Sequence, residues 1–159
     1  MNMDINIQAN SDLLWFGNTL ISIKLSSQSG ADGISVVEQW MPYGEAPPLH
    51  IHQREDEVFH ILDGVMRFRV GHDEIIGRAG DTVIAPKGVP HAFRVDSTAG
   101  AHCLTIMRGS DFETMLRQAS RPAEHPDLPQ AIAPTPEMID MLEKICVANK
   151  IDIIGPPLA

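Results

Sequence analysis

The chain has 159 residues and a formal net charge of −9, with 12 Lys and Arg residues against 21 Asp and Glu residues. A chain of this length can bury a full hydrophobic core as one domain, without disulfides or further subunits. Nucleic acids and anionic membranes are bound through basic surfaces, which this composition does not supply. We therefore expect a small-molecule partner, and neither a nucleic acid nor a membrane.

The two cysteines, Cys103 and Cys146, are widely spaced, which fits neither a disulfide framework nor a thiolate metal site. We expect both thiols to be reduced and buried. The N-terminal sequence MNMDINIQANSD does not combine a basic start with an apolar stretch, as a signal peptide does. No apolar run approaches the roughly 20 residues that cross a bilayer. The sequence therefore predicts a cytoplasmic protein in a reducing compartment.

Short apolar or alternating segments follow one another from about residue 19 to residue 107. Turn-forming sequences separate them, among them Asp63-Gly64 and Pro86-Lys87-Gly88, whose glycines can adopt the positive φ of tight turns. Many short strands without intervening helical patterns are typical of an antiparallel sandwich or barrel. We therefore predict an all-β barrel over residues 1–107, with strands at TLISIKL, ISVVEQWM, EVFHIL, VMRFRV, DTVIAP, HAFRV and HCLTIM.

The sequence changes character after residue 107. Ser110 and Glu113 form a possible capping box in front of a short helix. Residues 121–136 carry five prolines, which favours an extended connector across the barrel surface. Thr135-Pro136 then offers an N-cap and a first residue to a second helix, with one buried face formed by Met138, Leu142, Ile145 and Cys146. We expect residues 108–159 to pack on the barrel as part of one domain.

Three histidines and three acidic residues fall within LHIHQREDEVFH, residues 49–60. In a strand, His50 and His52 would emerge on the same face, about 6.6 Å apart, so that both imidazoles can reach one ion. A polar turn would return the chain and place Glu57 beside them as a charged oxygen ligand. Glu55 and Asp56 are interpreted as solvated residues of that turn. The segment is compatible with a metal site, although two histidines on one face of a strand also arise by chance.

The wider spacing resembles the two signature motifs of the cupin superfamily. The first motif corresponds to Gly44, His50, His52, Glu57 and Gly64, and the second to Gly80, Pro86, Gly88 and His91. The resemblance implies a small jelly-roll barrel in which His50, His52, Glu57 and His91 bind one divalent metal ion. Val95 stands where the family often has Asn, which leaves a polar contact in the pocket in doubt. The closer resemblance is to quercetin 2,3-dioxygenase-like cupins, although the best-characterised of those enzymes mostly carry two barrels.

The implied ligand set of three imidazoles and one carboxylate suits Fe, Mn, Ni, Co or Zn. One or two positions on a five- or six-coordinate ion would stay open for substrate, water or dioxygen. The resemblance to quercetinases implies that Glu57 either stays bound to the metal or acts as a general base on the substrate hydroxyl.

Alternation along the strands predicts which side chains face the pocket. With Glu57 and His91 inward, we expect an apolar, aromatic lining formed by Phe59, Ile61, Met66, Phe68, Phe93 and Val95, with Leu104 and His102 as further members. For His102, a position on the surface at the start of a strand is an equal alternative. No Lys or Arg is clearly placed inside, so the pocket suits a flat, weakly polar molecule better than an anion.

The leading hypothesis is a metal-dependent, dioxygenase-like oxidoreductase that acts on a small enol or a flavonol-like phenol. The alternative is a non-catalytic cupin that binds a small molecule or a metal, while an isomerase or decarboxylase is disfavoured by the missing inward cation. Val58, His60 and Leu62 are expected on the outer face, where they are too apolar for solvent. We therefore predict a homodimer, unless residues 7–17 or the tail from Met138 to Leu158 cover that face.

Overall fold

The computed structural model describes residues 13–159. The expectation that the N-terminus carries no targeting signal, and the possible cover by residues 7–12, fall on residues outside this range. Within it, the chain forms twelve strands and two α-helices: β1 (Leu13–Phe16), β2 (Thr19–Leu25), β3 (Ile34–Met41), β4 (Pro48–His52), β5 (Glu57–Asp63), β6 (Val65–Val70), β7 (Asp73–Arg78), β8 (Thr82–Ala85), β9 (His91–Val95), β10 (Ala101–Arg108), α1 (Asp111–Ala119), β11 (Arg121–Pro122), α2 (Pro136–Ala148) and β12 (Ile151–Pro157).

The strands form two antiparallel sheets. One sheet has the order β11-β1-β2-β3-β10-β5-β8, and the other has the order β12-β4-β9-β6-β7. Burial alternates along β3 and β10, because one side of each strand faces the interior and the other faces outward. This is a jelly-roll fold with C-terminal helices, and all seven segments predicted as strands contribute to it.

Five strands lie outside these seven segments, and one of them, β4, is the strand already expected to carry His50 and His52. The C-terminal strand β12 matters most for the site, because it pairs with β4, with Ile151 opposite His52 and Ile153 opposite His50. The segment ends in Gly155-Pro156-Pro157, a sequence that argues against a central strand. Proline is tolerated here because β12 is an edge strand, where a missing N–H leaves no ladder partner unsatisfied. The other additions are β1, β7 and β11.

Helix α1 begins where expected, but its cap is different. The Ser110 side chain makes no capping hydrogen bond. Glu113 does not return to the Ser110 N–H; its carboxylate accepts hydrogen bonds from the Ser27 N–H at 2.7 Å and from Ser26 Oγ at 2.8 Å. The predicted capping box is therefore wrong, because the long-range contact with the loop after β2 takes the carboxylate.

Helix α2 has the predicted start, with the Thr135 hydroxyl accepting a hydrogen bond from the Met138 N–H at 3.2 Å and a proline in the first turn. Of its expected apolar stripe, Cys146 is buried, Leu142 and Ile145 are half-buried, and Met138 is exposed. The stripe therefore packs mainly through its C-terminal half.

The proline-rich connector is extended and fixed to the barrel. Its first residues pair with β1, with Arg121 opposite Trp15. Trp15 Nε1 donates a hydrogen bond to the Asp127 carbonyl at 2.9 Å, and the Asn18 amide exchanges hydrogen bonds with the backbone of Ile132. Hydrogen bonds between side chains and backbone thus hold the connector on the surface. They do not require the N–H groups that its prolines lack.

Two buried apolar clusters form the core. One fills the space between the sheets around Phe59, Phe68 and Phe93. The other joins β2 and β3 to α1, α2 and β12. Cys103 lies in the first cluster and Cys146 in the second, and both are free and buried as predicted. None of the described helices is long and apolar enough to span a membrane.

Candidate metal centre

Strands from both sheets bring the four predicted ligands together. His50 and His52 lie on β4, His50 is directly opposite His91 on β9, and Glu57 begins β5. One possible ligand atom from each of the four residues lies within 4.8 Å of the others. The two histidines of β4 share a face because they are two residues apart, and the antiparallel pairing with β9 adds the third imidazole.

The carboxylate of Glu57 is at the middle of this group. Its Oε2 is 2.7 Å from His91 Nε2, 3.1 Å from His52 Nε2 and 4.0 Å from His50 Nε2. Glu57, His52 and His91 are almost fully buried, and His50 is half-buried. A buried carboxylate surrounded by three imidazole nitrogens is a donor set suited to a divalent transition metal.

Backbone carbonyls orient two of the imidazoles. His50 Nδ1 is 2.7 Å from the Pro48 carbonyl oxygen, and His91 Nδ1 is 3.1 Å from the Val89 carbonyl oxygen. A carbonyl only accepts, so each Nδ1 carries a proton and donates it. The Nε2 atoms of both rings then face Glu57, which is the arrangement that outer contacts impose on metal-binding histidines.

His52 gives the clearest sign that a cation fits the centre. Both of its ring nitrogens are buried without a hydrogen-bond partner in the described part of the chain. Burying an imidazole without partners is costly, and its Nε2 lies close to the Glu57 carboxylate without hydrogen-bond geometry. A metal ion between these atoms would satisfy the nitrogen and the carboxylate together. The four residues therefore fit the metal that the sequence resemblance implies.

The electrostatics leave Glu57 and His50 in states that can bind a cation, whereas His91 would have to release a proton to do so. Burial alone would raise the pKa of Glu57, but the neighbouring imidazoles of His52 and His91 hold that pKa well below its usual range. Burial, reinforced by the nearby His91, lowers the pKa of His50 to about 4. Burial opposes the charged form of His91, yet its contact with Glu57 is stronger and raises its pKa. Glu57 is thus ionised and His50 neutral at neutral pH.

A cavity of about 90 Å³ opens beside the ligands. His50, His52 and Glu57 form part of its wall. The rest is mainly apolar and is lined by Phe16, Met41, Pro47, Pro48, Phe93, Phe112, Met115, Leu142, Cys146, Ile151 and Ile153, with Thr19, Gln39 and Glu45 as polar members.

The predicted pocket residues have three different positions. Phe93 lines the cavity. Five others face inward but lie in the apolar core below the cavity: Phe59, Ile61, Met66, Phe68 and Val95. Val95, where the cupin motif often has Asn, is fully buried in that core.

His102 and Leu104 do not face the cavity, so the expectation is wrong for Leu104, whereas for His102 the alternative of an outer position at the start of the strand holds. On β10 the buried side is formed by Cys103, Thr105 and Met107, while His102 and Leu104 are on the other side. His102 Nε2 is 2.7 Å from Glu38 Oε1, and its ring stacks on Trp40 at 4.7 Å. Both sides of this strand carry apolar residues, so alternation alone could not select the inner one.

Glu55 is not a solvated turn residue, whereas Asp56 is exposed as expected. Only 2% of Glu55 is exposed, and its two carboxylate oxygens accept hydrogen bonds from the backbone N–H groups of Asp111 and Phe112. The carboxylate therefore caps α1. A local interpretation missed this role because the helix that it caps lies more than 50 residues further along the chain.

Much of the cavity wall was not predicted from the sequence. Gln39 was detectable, because it shares the inward parity of β3 with Val37 and Met41. The contributions of α1, α2 and β12 had no local signal. They reach the cavity because β12 pairs with the ligand strand β4, and α2 precedes it. His60 is on the outer side of β5, as the alternation predicts, with Nδ1 2.9 Å from Thr82 Oγ1.

Comparison with known proteins gives the same family as the motifs. Residues 37–107 match the Cupin domain family. The chain is similar to quercetin 2,3-dioxygenase from Bacillus subtilis (strain 168), with 26% identity over 113 residues, which cover 70% of this chain and 34% of that protein. The chain thus spans about a third of the length of the dioxygenase it matches.

Solved structures support the fold. A predicted oxalate decarboxylase from Thermotoga maritima is similar with a TM-score of 0.56 and 18% identity, over 67% of this chain and 98% of that one. An RmlC-like cupin from Shewanella frigidimarina has a TM-score of 0.55 and 15% identity, over 67% of this chain and 91% of that one. At these identities the likeness concerns the fold alone.

Proposed function

We infer that this chain, which belongs to the cupin superfamily, holds one divalent transition metal ion and acts as a dioxygenase-like oxidoreductase on a small enol or phenol. The observation that carries the proposal is the convergence of His50, His52, Glu57 and His91 beside an apolar cavity. The similarity to a protein named quercetin 2,3-dioxygenase supports an enolic or flavonol-like substrate. Fe, Mn, Ni, Co and Zn all suit this donor set.

In this proposal each residue of the metal centre has a distinct role. His50, His52 and His91 would hold the metal through Nε2, with the Pro48 and Val89 carbonyls fixing two of the rings. A bound metal supplies a Lewis acid that lowers the pKa of a coordinated hydroxyl. Glu57 would either stay bound to the metal or accept the proton of a substrate hydroxyl, and its ionised, buried carboxylate supports both roles. The apolar wall would exclude water from the reacting group.

Metal analysis followed by oxygen uptake tests this function. The purified chain would be freed of metal, reloaded separately with each of the five ions, and supplied with single-ring enols and flavonols in an oxygen electrode. We expect about one metal per chain and substrate-dependent oxygen consumption with at least one ion. His60→Ala, which removes an outer histidine, is the matched control for His52→Ala. Stoichiometric metal binding without oxygen uptake by any compound would instead favour a non-catalytic binding cupin.

We also propose a homodimer formed through the outer face of the larger sheet. Five cross-strand neighbours make an apolar row over five adjacent strands, in the order Ile84, Val58, Ile106, Val36 and Leu25. Ile84 is 51% exposed and Leu25 37% exposed. The row is uncharged in a chain with a net charge of −9, so a second copy can meet it without the repulsion that other surfaces would cause.

Sedimentation tests the dimer. At micromolar concentration we expect a species of twice the 17.4 kDa chain mass for the wild type and a monomer for Ile84→Lys. Ile76→Lys changes an exposed isoleucine of the other sheet and serves as the control. A wild-type monomer would show that the row is not an interface.

A further inference from the structure

The polar part of the cavity wall has a definite chemical character. Apart from the metal-binding residues, its polar members are Thr19, Gln39 and Glu45, and none of the described lining residues is Lys or Arg. An amide carbonyl and a carboxylate are hydrogen-bond acceptors. The wall therefore offers acceptors to a bound molecule and no cationic donor, which selects against anions and in favour of groups that donate.

The side-chain amide of Gln39 makes a hydrogen bond through its nitrogen and, among the described residues, none through its carbonyl oxygen. The residue faces inward on β3 and is 6% exposed, and its Nε2 donates a hydrogen bond to Thr105 Oγ1 at 2.5 Å. Thr105 is itself fully buried on β10. Within residues 13–159, no hydrogen bond joins the carbonyl oxygen of this side chain to another residue, so this oxygen is available to a molecule in the cavity.

Glu45 is fixed through its backbone while its carboxylate is unpaired. Its N–H donates to the Pro42 carbonyl at 3.2 Å, and its own carbonyl accepts from the Val95 N–H at 2.9 Å. Its side chain makes neither a hydrogen bond nor an ion pair with the described residues. Burial raises the pKa of this carboxyl group, and no neighbouring charge offsets the effect. A half-buried carboxylate on a cavity wall can accept a hydrogen bond from water or from a ligand that donates to it.

We propose that Glu45, assisted by Gln39, selects substrates that carry a hydrogen-bond donor in addition to the group that binds the metal. The inference rests on the proposed function, because it takes the metal centre as the first point of attachment. The substrate class is thereby narrowed to enols or phenols with a further hydroxyl or amino group. The apolar remainder of the wall would contact the ring, and the two acceptors would fix its orientation.

Calorimetric titration of the zinc-loaded chain tests this selection without turnover. Kojic acid and allomaltol bind metals through the same hydroxyketone and differ only in a hydroxymethyl group, which allomaltol replaces by methyl. We expect the wild type to bind kojic acid about tenfold more tightly, the usual effect of a hydrogen bond to a charged acceptor. Glu45→Leu should bind the two compounds equally, and Glu45→Gln should retain an intermediate preference. Glu74→Leu, at an exposed glutamate of β7, should behave as wild type.

The outcomes separate this inference from the proposed function. Absence of zinc binding would overturn the metal centre itself. Normal zinc binding with no preference for kojic acid in the wild type, or with a preference that survives in Glu45→Leu, would overturn the role of Glu45 alone. The aminomethyl analogue of kojic acid distinguishes the two donor types: tighter binding than kojic acid, lost in Glu45→Gln, assigns a protonated amine, and equal or weaker binding assigns a hydroxyl.

Discussion

Glu55 accepts a hydrogen bond from the backbone N–H of Asp111 at 2.8 Å, and this contact joins the loop between two ligand strands to the first turn of α1. The second carboxylate oxygen accepts from the Phe112 N–H at 3.0 Å. The Phe112 ring in turn lies edge-on to the His52 ring, with 5.9 Å between centroids. The loop between β4 and β5 and the helix α1, which lines the cavity, are therefore directly connected.

Replacing Glu55 by Ala should lower the free energy of unfolding by about 1–2 kcal/mol, because it removes a helix cap and leaves two N–H groups without an acceptor. Urea unfolding measures the change. Glu74→Ala, at an exposed position, should unfold at the same urea concentration as wild type. If Glu55→Ala unfolds at the same urea concentration as wild type, solvent caps α1 equally well.

Replacing His52 by Ala should weaken metal binding by at least tenfold, the smaller end of the roughly 10–100-fold loss seen when even a supporting residue of a metal site is removed. The fold should survive, because a site open to a cavity contributes less to folding than a closed structural one. Elemental analysis and circular dichroism give the two readouts. His60→Ala should keep its metal, and unfolding of His52→Ala at room temperature would mark the centre as structural.

Glu113 should make stability depend on pH in the acid range. Burial alone would raise its pKa, but hydrogen bonds from Ser27, Ser26 and Arg117 lower the pKa below its usual value. A carboxyl group with a lowered pKa in the folded state stabilises the protein above its unfolded pKa, and this contribution is lost as pH falls through the folded value. Glu113→Gln should therefore cost about 1–3 kcal/mol near neutral pH.

The same variant should differ less from wild type once the pH has fallen below the lowered folded pKa of Glu113, where both carry an uncharged side chain. Urea unfolding of the two proteins at several pH values measures the difference. A cost that stays constant across the range would show that the charge of Glu113 is not what stabilises this contact.

Gly64 should not tolerate a side chain. Its φ is +90°, and an added Cβ would lie 2.5 Å from the Gly100 carbonyl oxygen and 2.8 Å from Ala101 Cα. Gly64→Ala should cost about 2 kcal/mol or more, from the unfavourable φ together with the steric overlap. Gly80→Ala is the matched control, because Gly80 has a similar φ of +92° with no atom near the added Cβ. Equal unfolding temperatures of the two variants would show that the backbone around Gly64 shifts to accommodate the added Cβ.

Features that depend on neighbouring residues could be derived from the sequence. The two-residue period placed His50 and His52 on one face and His60 on the opposite side from Glu57, and the structure has both arrangements. The turn glycines and apolar segments defined the main strands. These features hold because the alternation of a strand and the φ of a turn are properties of a few consecutive residues.

Tertiary structure decided the rest. Both sides of β10 are apolar, so only packing between the sheets could turn Cys103 inward and His102 outward. Glu55 is a helix cap because α1 happens to begin at its carboxylate, and β12 completes the cavity wall because it pairs with β4. Such contacts join segments that are far apart in sequence. Bringing them together costs chain entropy, which the burial of apolar surface offsets. A pattern of a few consecutive residues does not show which distant surface will be buried. The ligands of the candidate metal centre were thus implied by the resemblance of their motifs to those of cupins, whereas the cavity that would select its substrate exists only in the folded chain.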